Sequence, residues 1–526
     1  MKKITIVGGG SAGWLTAAWL SKKHPDIEIT LIEAETIPKI GVGESVTPHV
    51  SIFFQALGIP THHWMEKTGA IYKFANKFIN WHTNQGEYEY FSFTPVTDSK
   101  KFIADNIHAM DRNDWIIKNN KNSDYLLDLI SNKSLDKFDK YFNSQFYYME
   151  KNVMPFAGDE YLLNPMFSWS QHINADLASD YARDFIAKPN GVIHKIGKVV
   201  KVNVIKDTIN SLELESGETF TADLFVDASG FFKVLIKELD WNTKEYKDAP
   251  INRAWVCQND YEDPVNEVVN YTQSIAEPHG WRFKIGLYHR MGNGYCFSGN
   301  HISDDVALDH FNKQVDLQRK SPRLLKWTPS RLENVGKGNV VAIGLSYGFV
   351  EPLEANAFYI IINSIQQLEV VVDDYKKTNV WNFDTMNKKM NYALDDIADF
   401  IKVHYTLSQR NDTDFWNDMR AVHLKENHID LIREKYKTNT MIKSLEGYSM
   451  FPDYMWGQLA ASWAIDTSDW YTGIDQQIRE LARLTFEMQK QRHDIISSTR
   501  TNHYNWLKET VFNGVENTQW EKLIKG

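Results

Sequence analysis

Three glycines spaced Gly8-x-Gly10-x-x-Gly13 stand directly after a short apolar run, residues 3 to 8, and directly before a stretch of helix formers with a basic end, residues 14 to 23. A second strand-like run, Ile27 to Glu33, ends in an acid twenty positions beyond Gly13. The triplet alone is a weak signal. In a strand–turn–helix–strand context of about 33 residues it describes a dinucleotide site: glycine lets the backbone turn tightly and approach a pyrophosphate, and the helix start offers N–H donors and a positive dipole. Gly8, Gly10, Ser11, Ala12 and Gly13 are the expected cradle, with Glu33 accepting from ribose hydroxyls. There is no second Gly-x-Gly-x-x-Gly, hence no expected separate nicotinamide site.

The chain that positions these residues has 526 amino acids, 43% of them hydrophobic and 24% charged, with formal net charge −10. Mean hydropathy is −0.44 and the pI is about 6.0. Such values fit a soluble globular protein and argue against nucleic-acid binding by bulk charge. No apolar run approaches the roughly 20 residues of a membrane span, and the first residues reach glycine too early for a signal peptide. The two cysteines, Cys257 and Cys296, cannot build a disulfide framework or a four-thiolate metal site. They read as packed thiols in a reducing, cytoplasmic setting. Seventeen tryptophans are unusual. They suit either a large core or an aromatic-lined cavity for a flat ligand.

Strands are expected at residues 74–81, 87–93, 191–206, 210–220, 224–228 and 339–344, with a β-rich stretch over 250–300. Helices are expected at 51–57, 176–188 and 351–375, and nearly everywhere beyond 385. Residues 97–150, rich in Asn, Asp and Lys, read as a partly helical excursion. No linker or repeat divides the chain. The expected organisation is one body: residues 1–380 carry the nucleotide-binding and β-rich parts, and 381–526 form a helical cap.

Two later segments favour FAD. Thr221 to Gly230, with Asp227, resembles the strand-to-turn segment of glutathione-reductase-type flavoproteins. Asn339 to Gly344 resembles the strand that closes over the ribityl chain in that superfamily, although Leu345 stands where an Asp usually follows. The implied fold class is α/β plus α: a glutathione-reductase-type FAD-binding Rossmann fold, a β-rich substrate subdomain and a mostly helical C-terminal part. Asp227 and Gly344 join the expected cofactor contacts.

Further segments, in order, resemble the flavin-dependent (tryptophan) halogenase family. Gly41-Val42-Gly43-Glu44-Ser45-Val46-Thr47-Pro48 is similar to its Gly-Val-Gly-Glu-Ala-Thr flavin loop, which adds Gly43, Glu44 and Ser45. Residues 74–81 resemble the strand carrying its catalytic lysine, which implies Lys77. Phe349 to Glu354 resembles its Pro-Leu-Glu segment, which implies a catalytic Glu354, and His404-Tyr405 with Arg410 and Asp412 matches a family helix. The resemblance implies a halide held by the backbone at Ala355, Asn356 and Ala357, and a substrate wall at Trp456.

The implied activity is FADH2-dependent. A flavin hydroperoxide, formed with O2, would oxidise a halide ion to hypohalous acid inside an enclosed passage. Lys77 would hold the oxidant, and Glu354 would orient it and take the arene's proton in an electrophilic substitution. A separate NAD(P)H-dependent flavin reductase is the implied partner. The expected substrate is an indole, a phenol or another electron-rich arene, since no strong carboxylate and ammonium clamps for a free amino acid are evident.

Two departures stand out. The family's Trp-x-Trp-x-Ile-Pro appears as Trp281-Arg282-Phe283-Lys284-Ile285-Gly286, and its Glu-Ser-Thr-Gly as Glu354-Ala355-Asn356-Ala357. The first keeps a flavin aromatic hydroxylase (a monooxygenase) as the alternative; a non-catalytic binding protein on the same scaffold is the second. Each residue also has a plainer reading: Lys77 as an exposed strand lysine, Glu354 as a helix N-terminal carboxylate with Glu351 the lesser competitor, and Trp456 as core.

Overall fold

In the computed structural model, the residues described are 2–35, 42–92, 122–142, 145–155, 169–315, 322–425, 428–438, 450–451, 453–463, 465–467 and 474–513. Gly41 and residues 97–121 of the expected excursion lie outside this set.

Lys3–Val7 and Glu28–Glu33 pair in parallel, joined by the helix Ser11–Lys23. Their apolar runs are buried on both faces, as parallel strands covered by helices require. The sheet has six strands, in the order Gly336–Lys337, Val340–Ala342, Leu224–Asp227, Lys3–Val7, Glu28–Glu33, Ile193–Ile196. All pair in parallel except the short antiparallel edge at Gly336–Lys337. The strands at 224–228 and 339–344 thus lie side by side next to the glycine turn, although they are more than a hundred residues apart in sequence.

A second sheet of seven strands runs Arg323–Lys326, Arg253–Asn259, Met291–Phe297, Gly280–Gly286, Tyr271–Glu277, Ala75–Ile79, Tyr88–Ser92. It is antiparallel except where Tyr271–Glu277 meets Ala75–Ile79. A small antiparallel sheet, Glu44–Ser45, Ser170–Ile173 and Ile71–Lys73, is continuous in chain with the second: Phe74 alone separates Lys73 from Ala75.

The helix expected over 351–375 begins only at Asn356 and runs to Thr378. Glu354 (φ 66°) and Ala355 (φ 58°) take left-handed conformations that break it from the preceding turn. The helix expected at 176–188 forms over Ala175–Tyr181 and then widens through Ala182–Ala187. Beyond Phe383 the described residues are mostly helical: Asp384–Thr406, Asp414–Lys425, His428–Thr438, Asp453–Ser462, Gln476–Ser497 and His503–Thr510. One large core joins both sheets to these helices, and Trp14, Trp64, Trp81, Trp416 and Trp456 are buried in it. No helix among the described residues is long and apolar enough to cross a membrane.

Candidate active site

The glycine turn starts where Val7 ends its strand. A Cβ on Gly8, at φ +121°, would lie 2.3 Å from the Ala228 carbonyl oxygen, and one on Gly13 would lie 1.8 Å from the Gly8 carbonyl oxygen. Those two glycines let the turn pack against its neighbours. A Cβ on Gly10 would meet nothing within 4 Å, so this backbone faces open space at the head of the helix. Ser11 is engaged on the protein side, its hydroxyl meeting Ser179 Oγ at 2.9 Å. Gly344 sits across from the same turn, where an added Cβ would come 3.0 Å from that of Ala12. His194 Nε2 and Glu33 Oε1 meet at 2.6 Å.

Asp227 is fully buried. It accepts from the backbone N–H of Ser229, Leu235 and Ile236 and from the hydroxyls of Ser229 and Ser346. Its carboxylate organises the turn after its strand; five protein donors surround it.

Lys73 is buried with no exposed surface, at the end of Ile71–Lys73. Burial pulls its ammonium down to about 7 against the field of Glu354, which favours the charged form. Its Nζ donates to Ser45 Oγ at 2.5 Å. Ser45 Oγ meets Thr272 Oγ1 at 2.9 Å, and Thr272 Oγ1 meets His172 Nε2 at 2.7 Å.

Glu354 lies on the strained turn. Left-handed conformations at two successive non-glycine residues cost on the order of 1–3 kcal/mol each. Asn356 helps hold the turn, its side-chain amide donating to the carbonyls of Glu351 and Leu353, both at 2.8 Å. Glu354 Oε2 accepts from Asn76 Nδ2 at 2.7 Å. Its Oε1 lies 3.5 Å from His404 Nε2, and neither atom has a hydrogen-bond partner among the described residues. His404 Nδ1 is 2.7 Å from the Phe400 carbonyl, which can only accept, so Nδ1 carries hydrogen. Phe78, Phe91, Phe400 and Trp463 surround the His404 ring, with centroids 4.9, 5.6, 4.9 and 5.5 Å away. Glu351 Oε1 accepts from Trp281 Nε1 at 3.0 Å and Tyr405 OH at 2.7 Å, while burial pushes its carboxyl up to about 8.

A buried amine thus lies within the field of a buried acid, Glu354, whose neighbour His404 is ringed by aromatic side chains. The family model for tryptophan halogenase matches residues 3–476. The chain belongs to the tryptophan halogenase family, a family of enzymes. It is 32% identical over 445 residues to the tryptophan 7-halogenase RebH of Lentzea aerocolonigenes, covering 82% of each chain. It is 30% identical over 451 residues to the tryptophan 6-halogenase ThaL of Streptomyces albogriseolus, covering 83% of this chain and 82% of that one. Among solved structures, the tryptophan 6-halogenase SttH of Streptomyces toxytricini superposes with TM-score 0.82 at 24% identity, covering 96% of this chain and 99% of that one. BrvH, a flavin-dependent halogenase from Brevundimonas sp. BAL3, gives 0.80 at 23%, covering 97% and 99%. The fold is thus the mixed α/β and helical fold of the flavin-dependent halogenase structures.

Within this halogenase-family chain, the expected residues do not all converge. Lys77 requires a correction. Asn76 and Phe78 point toward Glu354 and His404, so the alternation of the strand turns Lys77 to the other face. There its Nζ lies 3.7 Å from Glu150 and 3.9, 4.8 and 5.3 Å from the ring centroids of Tyr88, Tyr90 and Tyr271. Of these two lysines, Lys73 is the one on which Glu354 acts, favouring its charged form. A lysine within the apolar run Ala70-Ile71-Tyr72-Lys73-Phe74-Ala75 was the sequence signal for it. Asn76 and the Ser45–Thr272–His172 contacts carried no local signal, being joined only through strand pairing.

The Ala355 N–H is engaged with the Pro352 carbonyl at 3.1 Å, leaving Asn356 and Ala357 at the head of the helix Asn356–Thr378. Trp456 is fully buried, its ring 4.8 Å from that of Phe400, and its Nε1 has no hydrogen-bond partner among the described residues. Glu44 is half-buried, and desolvation, then Asp176, pushes its carboxyl up to about 7. A Cβ on Gly43 would come 3.5 Å from Ile285, so the expected flavin loop lies against the strand Gly280–Gly286.

Proposed function

We propose that the chain is a flavin-dependent halogenase that uses reduced FAD, O2 and a halide ion to halogenate an electron-rich arene of the indole class. A separate NAD(P)H-dependent reductase supplies the reduced flavin. The fit for FAD rests on the open backbone at Gly10, the close packing at Gly8 and Gly13, and Glu33 ending the adjacent strand. When bound, reduced flavin supplies with O2 the oxidising equivalents that convert halide to hypohalous acid.

The observation that carries the reading is a fully buried Lys73 lying within the electrostatic reach of a buried Glu354. Lys73, fully buried and with an ammonium near pH 7, donates a hydrogen bond to the oxidant and holds it in a dry site. Glu354 accepts the proton released by the ring. Asn76 fixes one carboxylate oxygen of Glu354, which leaves Oε1 for the reaction, with His404 behind it. Asn356 and Ala357 offer their backbone N–H groups to the halide at the positive end of a 23-residue helix. Phe78, Phe91, Phe400, Trp456 and Trp463 supply aromatic walls.

The test is incubation with FAD, a flavin reductase, NADH, O2 and chloride, bromide or iodide, over a panel of indoles, with products read by mass. Halide-dependent mass gains are expected. A gain of one oxygen that ignores halide would make the chain an aromatic hydroxylase instead.

A further inference from the structure

Four polar side chains run in a line away from Glu354: Lys73, Ser45, Thr272 and His172. Lys73 and His172 have no exposed surface and Thr272 is buried; Ser45 is partly buried. The direction of every bond is determined by its far end. His172 Nδ1 lies 2.9 Å from the Gly286 carbonyl oxygen, which can only accept, so Nδ1 carries the hydrogen. Burial, together with Lys73, keeps the His172 ring far below its ordinary titration range, so Nε2 is a bare acceptor. Thr272 must then donate to Nε2 at 2.7 Å, Ser45 to Thr272 at 2.9 Å, and Lys73 to Ser45 at 2.5 Å.

We propose that Ser45, Thr272 and His172 are positioning residues that hold the Lys73 amine in a single orientation through a one-way hydrogen-bond chain anchored on the Gly286 carbonyl. This rests on the reading of Lys73 as the group that holds the oxidant, and adds how it is aimed. The chain brings the Ser45 oxygen to Lys73 as an acceptor with no hydrogen left to return. A Lys73 hydrogen therefore always points at Ser45, and the remaining ones are directed elsewhere. Among the described residues, the titratable groups acting on the line are Glu354, which favours charge on Lys73, and His503, which like Lys73 disfavours charge on His172 and is itself kept neutral by burial, at about 4. Ser45 stands where the family loop has alanine, so the hydroxyl that meets Lys73 is particular to this chain's loop. Gly286, the anchor, lies where the family motif has proline.

Two measurements test this. The first needs no turnover: long-range 15N–1H correlation on selectively 15N-histidine-labelled protein, with His172 assigned by its absence in His172→Gln, should show the neutral Nδ1–H tautomer from pH 6 to 9. An Nε2–H tautomer or a titrating ring would overturn the chain. The second is kinetic. An acceptor oxygen favours the ammonium, so Ser45→Ala should move the Lys73-dependent limb of the pH–rate profile to lower pH. It should lower kcat about tenfold while leaving KM for arene and halide near wild type. Ser45→Thr should restore both. The double variant Ser45→Ala, Thr272→Val should behave like Ser45→Ala alone, because one break empties the line. An unmoved limb or additive losses would refute the proposal. Lys73→Met separates the two ideas: if it halogenates normally, the functional reading fails, while the tautomer measurement still decides the hydrogen-bond chain.

Discussion

Asn76 and Lys77 are neighbours in sequence and opposites in space. Asn76 Nδ2 donates to Glu354 Oε2 at 2.7 Å, whereas Lys77 Nζ lies 3.7 Å from Glu150 on the far face of the same strand. Period-two alternation makes the two placements mutually exclusive, so no register brings both residues to Glu354.

The two lysines should therefore separate by substitution. Lys73→Met is expected to lower halogenation by roughly 10²–10⁴-fold with flavin binding retained. Lys77→Met should keep halogenation within a few-fold. Its cost falls on stability, about 0.5–2 kcal/mol for the lost ring contacts, with the Glu150 carboxylate still held by the Tyr88 and Tyr90 hydroxyls. Product yield by mass and denaturant unfolding would check the pair. Equal loss of product in both variants would contradict the assignment.

The Glu351 carboxyl makes stability depend on pH. Its folded value, about 8, lies above the usual glutamate range because of burial. The stability it contributes is full below about pH 4.5 and is lost as pH rises through about 8. Glu351→Gln keeps an acceptor for Trp281 and Tyr405 and removes the titration. Unfolding midpoints measured from pH 5 to 8.5 should fall less steeply in the variant, and an identical slope would argue against a neutral Glu351.

At the glycine turn, Gly10→Ala and Gly13→Ala should fail differently. The Gly10 position is open, so Gly10→Ala should keep the fold and weaken FAD binding at least about tenfold, or ~1.4 kcal/mol. Gly13→Ala drives a Cβ into the Gly8 carbonyl oxygen and should lower stability as well. Flavin fluorescence titration alongside thermal unfolding distinguishes them. Wild-type affinity in Gly10→Ala would move the cofactor elsewhere.

Ala355 occupies a left-handed conformation at φ 58°. Ala355→Gly should relieve about 1 kcal/mol of backbone strain, partly offset by greater freedom of the unfolded chain. A higher unfolding midpoint with a changed halide KM is the expected result. A lower midpoint would mean that the turn is not strained.

Much of this was legible in the residues themselves. The glycine spacing, the acid at position 33 and the apolar runs on either side determine a strand–turn–helix–strand unit, because backbone sterics and hydrophobic period act within a few residues. Glu354 before a long helix was legible too. Which lysine faces Glu354 was not. Lys73 and Lys77 both sit in apolar surroundings four residues apart, and parity cannot be counted through Phe74, where one strand leaves a small sheet and the next joins a large one. Nor could local sequence bring Ser45, Lys73, His172 and Thr272 together. Long-range strand pairing and burial decided those contacts, and burial alone supplies the low dielectric that brings a lysine near neutrality and keeps a glutamate protonated.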